Sequence, residues 1–194
     1  MKKCIVTLTT AIMAALVLVM AFKADAAAIT KKELKTKYTS WLKKHDYELS
    51  SSSEYMRGKV KYVDINGDKT LDAIYSSYAG GHVILSYNKS TKKVKKIKSM
   101  YSGKGGFCYY NKKKHMVALS NSTTGSYDTY FYKISGLKAT KKKAKSFTSY
   151  RNYPSFNWTY KAGGKKVSQK AFKKKMKSAL KGYKKVTPVS WGAY

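Results

Sequence analysis

The sequence predicts a mainly β (α+β) domain, built as an antiparallel meander or as blade-like sheets, with an N-terminal and a C-terminal amphipathic helix. Three observations carry that prediction. Between residues 58 and 162, β-branched and aromatic residues recur with period two, the repeat of a strand that buries one face. Gly, Asn, Ser and Lys turns cut this stretch into short segments, which favours neighbours joined as hairpins. On either side, 30–45 and 168–184 carry apolar residues three and four positions apart, the period of a helix.

With 194 residues the chain has room for one domain with a substantial core. Residues 1–26 read instead as a signal peptide: Lys2 and Lys3 form a basic start, Ala11 to Phe22 is an unbroken apolar run, and Ala24-Asp25-Ala26 has the small-x-small cleavage pattern. A cut after Ala28 fits equally well. An uncleaved anchor would need the segment from Cys4 to Thr10 to reach the roughly 20 residues of a spanning helix. The expected domain is therefore 27–194, secreted and extracellular or associated with the cell envelope. Cys4 leaves with the leader. Cys108, beside Phe107, Tyr109 and Tyr110, then reads as a small buried apolar residue.

The first helix opens on Thr30-Lys31-Lys32-Glu33, whose hydroxyl and carboxylate can satisfy free amides at the helix start. Leu34, Tyr38, Trp41 and Leu42 form its apolar stripe, with Trp41 expected to pack it as a lid onto the domain; Ser50 to Ser53 break the chain after it. Strands are expected on both sides of an acidic loop, from Val60 into Asp64 and from Ala73 to Tyr78. Gly80-Gly81 turns the chain into a strand from His82 to Tyr87. Val94 to Met100 alternates with Lys, and Phe107–Tyr110, Met116–Ser120, Tyr127–Ile134, Lys145–Tyr150 and Phe156–Lys161 follow. Ser86-Tyr87 and Ser99-Met100 are echoed by Phe131-Tyr132 and Ser146-Phe147 at offsets of 45 and 47, near the period of a propeller blade. Ser168 is the expected N-cap of the last helix. Phe172, Met176, Ala179, Leu180 and Tyr183 form its stripe, and Gly182 and Pro188 bound it.

Only nine residues are Asp or Glu, and three of them fall between Asp64 and Asp72. There Asp64, Asn66, Asp68, Thr70 and Asp72 stand at positions 1, 3, 5, 7 and 9 of a tight loop. Alternate residues point inward, so four side chains and the Thr70 carbonyl can converge on one hard cation, and calcium is the natural match to an all-oxygen set. The EF-hand pattern fails, because Lys69 stands where it needs Gly and Tyr75 where it needs Glu. Without a metal, the loop would be a turn on Asn66-Gly67 with carboxylates bonded locally.

The Asp64–Asp72 motif, with Gly80-Gly81 and the strand Val83-Ile84-Leu85-Ser86-Tyr87 after it, resembles the FG-GAP or VCBS calcium loops of integrin-type propeller blades. Similar segments occur in uncharacterised exported proteins of Gram-positive anaerobes, whose layout this chain also resembles. That resemblance implies a structural, calcium-binding loop and no enzymatic activity. Lys69 departs from it, since such loops place Gly there, where the backbone takes positive φ freely.

The remaining charge is overwhelmingly positive: 41 Lys and Arg give a net +32, and cleavage of the leader lowers it by two. Only Arg57 and Arg151 are arginines, so the surface attracts through compact ammonium groups rather than planar forks. Lys170, Lys173, Lys174, Lys177 and Lys181 on the last helix are the expected contacts to anionic cell-wall or matrix polymers. Nucleic acid or an anionic membrane surface would bind non-specifically. The 18 Tyr interleaved with Lys offer stacking platforms, without a recognisable nucleic-acid signature. His45, His82 and His115 belong to no catalytic motif. The expected protein is thus secreted, non-enzymatic and calcium-binding, with no small-molecule substrate implied. The alternatives are a basic secreted hydrolase, nuclease or cell-wall-active, and an inhibitor or toxin-like protein using the Tyr-rich loops between Asn121 and Pro154.

Overall fold

In the computed structural model the described residues are 29–45, 58–77, 81–101, 105–143, 146–152, 155 and 157–186. The proposed leader, the serine-rich break, Tyr78, Gly80, Lys145, Pro154, Phe156 and Pro188 lie outside them. The chain divides into two compact units, Met1–Glu33 and Leu34–Tyr194, and residues 29–33 are the described part of the first.

Helix α1 (Lys31–Lys44) begins on the capping box that the sequence predicts. Glu33 Oε2 accepts from the Thr30 amide at 2.8 Å, and Thr30 Oγ1 accepts from the Glu33 amide at 3.2 Å, so two free donors are satisfied reciprocally. Leu34, Tyr38 and Leu42 form the buried stripe. Trp41, at the edge of that stripe, is only half-buried and stacks on the His45 ring at 3.8 Å. The lid is packed by Tyr38 and its two leucines instead.

Two antiparallel sheets follow. The first contains β1 (Lys59–Val63), β2 (Asp72–Ser77), β3 (Gly81–Asn88) and β4 (Lys93–Met100) in sequence order. The second contains β5 (Cys108–Asn111), β6 (Met116–Ser122), β7 (Ser126–Ser135), β8 (Lys138–Lys141), β9 (Phe147–Arg151), β10 (Trp158–Ala162), β11 (Lys165–Val167) and β12 (Lys184–Lys185), in the order β11-β10-β9-β7-β6-β5-β12. Strand β8 pairs with β7 off this path. Along the edge opposite β6, β7 pairs first with β9, through Ser126 to Thr129, and then with β8, through Tyr132 to Ser135. Strands β3 and β4 begin 45 positions before β7 and β8, which matches the first echo in the sequence. The second echo, at an offset of 47, leads into β9, which pairs with the other half of β7.

The alternation of side chains builds the layers. Ile74 and Ile84 face Val117, Leu119 and Ile134 across the space between the sheets, forming one core. On the opposite face of the first sheet, Tyr75, Val83 and Leu85 are also fully buried, so this sheet needs a cover on both sides. Helix α1 supplies it: Tyr38 meets the Tyr62 ring at 6.3 Å and donates its hydroxyl to the Leu71 carbonyl at 2.6 Å. Met116, Ala118, Phe131 and Phe147 form the outer face of the second sheet, covered by Phe172 of helix α2 (Gln169–Ala179). Phe172 meets Phe147 edge to face at 5.6 Å; burying such a side chain stabilises by about 1.5–3 kcal/mol.

Helix α2 has the expected N-cap, with Ser168 Oγ accepting from the Ala171 amide at 3.2 Å. Its expected extent, 168–184, needs correction. The helix stops at Ala179 with Leu180 as C-cap, Gly182 turns the chain at φ +80, and Lys184–Lys185 pairs with β5 as β12. Leu180 and Tyr183 still pack with the Phe172 cluster, which is why they look helical in the sequence. Among the described residues, no helix is long and apolar enough to cross a membrane.

Candidate metal loop and basic groove

The loop between β1 and β2 is closed by its own side chains. Asp64 Oδ1 accepts from the Gly67 amide at 2.7 Å and Asp64 Oδ2 from the Lys69 amide at 3.2 Å. Asn66 Oδ1 accepts from the Asp68 amide at 3.0 Å, and Asp68 Oδ1 from the Thr70 amide at 2.8 Å. Asp72, fully buried at the start of β2, accepts from the Ile65 amide at 2.9 Å and from the Ser86 hydroxyl. Burial pushes its carboxyl up to about 6, against the lowering effect of those hydrogen bonds. Gly67 at φ 84 and Lys69 at φ 65 both take the left-handed conformation, so the position that favours Gly keeps its backbone geometry despite carrying Lys.

All five predicted ligand residues therefore lie in one compact loop, with Thr70 buried beside Asp72. Their oxygen donors suit a hard cation. In this arrangement the carboxylates are turned onto the loop's own amides, and among the described residues no cluster of three or more His, Cys, Asp or Glu side chains is found. The Lys89 ammonium donates to the Asp68 carbonyl at 3.1 Å, placing one positive charge at the loop.

The loop also touches both sheets, which the sequence does not reveal. Asn66 Nδ2 donates to the Ser86 hydroxyl at 3.4 Å in the first sheet and to the Gly136 carbonyl at 3.3 Å in the β7–β8 turn of the second. His115, in the β5–β6 turn, bonds the Ile65 carbonyl through Nδ1 at 3.0 Å, and a Cβ on Gly67 would come within 2.7 Å of its ring. The other histidines have local roles too. His45 Nδ1 bonds the Trp41 carbonyl at 2.8 Å. His82 is buried between the sheets, donating from Nε2 to the Ser120 carbonyl at 2.9 Å and pairing Nδ1 with the Ser76 hydroxyl at 3.0 Å. Burial lowers its pKa to about 4, so it is neutral at pH 7. Cys108 is buried, which raises its thiol and keeps it from acting as a thiolate.

The predicted polymer-contact lysines Lys170, Lys173, Lys174, Lys177 and Lys181 are all exposed on α2 or just after it. Lys174 and Lys181 line hollows between α2 and the β5–β6 turn, where Lys112, Lys113, Lys114 and Lys184 join them. Sequence reasoning missed those four because they sit on a hairpin turn and a two-residue strand. The Lys triplet itself was the available signal. Comparison with protein-family models, curated proteins and solved structures finds no match to this chain.

Proposed function

We propose that this chain is an exported, non-enzymatic, calcium-binding domain whose polycationic surface holds it to anionic cell-envelope or extracellular polymers. The observation that carries this reading is how the acidic groups are used. Of the five described Asp and Glu side chains, Glu33 caps α1 and Asp64, Asp68 and Asp72 hold the amides of one loop. Those groups serve the backbone, and the lysines around them dominate the field that an approaching polyanion meets.

Calcium would be held by Asp64, Asn66, Asp68, the Thr70 carbonyl and Asp72, in the blade-like hairpin of β1 and β2. Because the same loop bonds Gly136 and His115, a bound ion would rigidify the joint between the sheets as well as the hairpin. Charge from Lys69 and Lys89 weakens the site toward roughly 10⁻⁴ to 10⁻³ M, which extracellular calcium still fills. A thermal melt in EDTA and then in millimolar calcium, with magnesium as control, tests this part. The midpoint should rise with calcium only, and the Asp64→Asn, Asp68→Asn, Asp72→Asn triple variant should lose the rise. No shift at saturating calcium refutes the metal. Retention on an anionic polymer that survives molar salt refutes electrostatic adhesion.

A further inference from the structure

We propose that the groove between α2 and the β5–β6 turn is the seat of a linear phosphate polymer that carries no aromatic bases. This rests on the reading that the surface binds anionic polymers, and it assigns that binding to one place and one chemistry. The groove consists of two hollows of about 760 and 700 Å³, and Lys114 and Ser178 line both. Val63 and Tyr110 lie in the first, Phe147 and Ala162 in the second. Lysines stand on both banks: Lys112 to Lys114 on the turn, and Lys174, Lys175 and Lys181 on α2 and the chain that leaves it. Among the described residues that line it, none is acidic.

Two banks matter because a chain lying between them meets ammonium groups from both sides, whereas a flat patch offers only one. The banks are also tied together. Asn111 Oδ1 accepts from the Lys114 amide at 3.0 Å, and Asn111 Nδ2 donates to the Gly182 carbonyl at 2.9 Å. The pairing of Lys184 with Tyr110 fixes the next residues of the same bank. The groove is therefore preformed, so little ordering of the protein opposes binding.

Its length excludes a single phosphate as the matched ligand, since α2 alone rises about 12 Å from Ala171 to Ala179. Its floor disfavours nucleic acid, because Tyr110 and Phe147 are 7% and 4% exposed and present no ring face to a base. The charges of its described lining are ammonium groups, which serve phosphate oxygens as point charges, while carboxylate chains are best read by planar guanidinium forks, of which the described lining has none.

The test uses the purified full chain, inorganic polyphosphate as probe, and three variants whose melts are first matched to the wild type. One carries Lys112→Gln, Lys113→Gln, Lys114→Gln and Lys181→Gln. A charge-matched control carries Lys95→Gln, Lys96→Gln, Lys142→Gln and Lys143→Gln, all exposed and away from the groove lining. The third, Ser178→Trp, fills the junction of the hollows without changing charge. The groove variant should bind at least tenfold more weakly, with a salt slope shallower by roughly 3, from four contacts at about 0.7 each. Ser178→Trp should also lose binding, and the control should stay within about threefold of wild type. Equal losses in groove and control variants, or wild-type binding by Ser178→Trp, overturn the groove while leaving general adhesion intact. No polyphosphate or other polyanion binding by wild type overturns the broader reading. Equal competition per charge by polyglutamate or by single-stranded DNA overturns the choice of occupant.

Discussion

Replacing His82 by Gln should change the way stability depends on pH. In the folded protein His82 stays neutral down to about pH 4, whereas the unfolded imidazole takes up a proton near 6.5. Between those values the unfolded state binds more protons, so acidification destabilises the fold by up to about 1.4 kcal/mol per pH unit and about 3 kcal/mol in total. Asp72 opposes this. Its folded carboxyl protonates near pH 6 and its unfolded one near 3.8, so the folded state binds more protons in that window and gains stability as pH falls. The two effects have similar size and opposite sign, which leaves the wild type nearly level between pH 6.5 and 4 as far as these two groups go. In His82→Gln the histidine contribution is gone, and stability measured by urea unfolding in EDTA should rise by about 3 kcal/mol relative to wild type over the same fall in pH. Asp72→Asn should show the reverse. Parallel profiles for wild type and His82→Gln would refute the assignment of a buried, neutral imidazole bridging the sheets.

Two further substitutions probe the backbone. Gly58→Ala should destabilise by about 1–3 kcal/mol in chemical denaturation, because the added Cβ would lie 1.9 Å from Cε2 of the Tyr75 ring, and a Tyr75→Leu background should relieve part of that cost. Lys69→Gly should stabilise the metal-free protein by about 0.5–1 kcal/mol, since φ 65 costs a side chain more than glycine's added freedom in the unfolded chain. The same variant should bind calcium more tightly by calorimetry, because it also removes a positive charge from the loop.

Much of the fold was legible because it depends on local patterns. The Thr30–Glu33 capping box, the Ser168 cap and the alternating strands follow from adjacent residues, and the structure reproduces them. The sequence makes helix α2 look longer than it is, because Leu180 and Tyr183 satisfy a helical period while packing from a turn. Trp41 looks like the anchor in the sequence because of its size, whereas the wheel position decides which ring turns inward, and that ring is Tyr38. At the candidate loop, composition revealed the cluster of carboxylates. It did not reveal that Asn66 reaches Gly136, 70 positions later, or that His115 rests against Gly67. Contacts of that range depend on how the two sheets meet, and no periodicity records it. The groove escaped for the same reason, since Lys112–Lys114 and Lys181 become neighbours only when β12 pairs with β5.

Strand β7 carries a consequence for how the protein opens. Its ten residues are bonded to β6 along one edge, and along the other they pair with β9 through Ser126 to Thr129 and with β8 through Tyr132 to Ser135, so both edges are covered over most of its length. Fraying from either end of the second sheet removes β12 and β5, or β11 and β10, long before it reaches this strand. In native-state hydrogen exchange, the amides of Thr129 and Tyr132, each paired on both edges of the strand, should therefore be among the last to exchange, at the free energy of global unfolding. A slip of β7 by one residue would turn Phe131 from the helix side toward the other sheet and break three pairings together. The strand thus acts as the register mark from which the rest of that sheet is aligned.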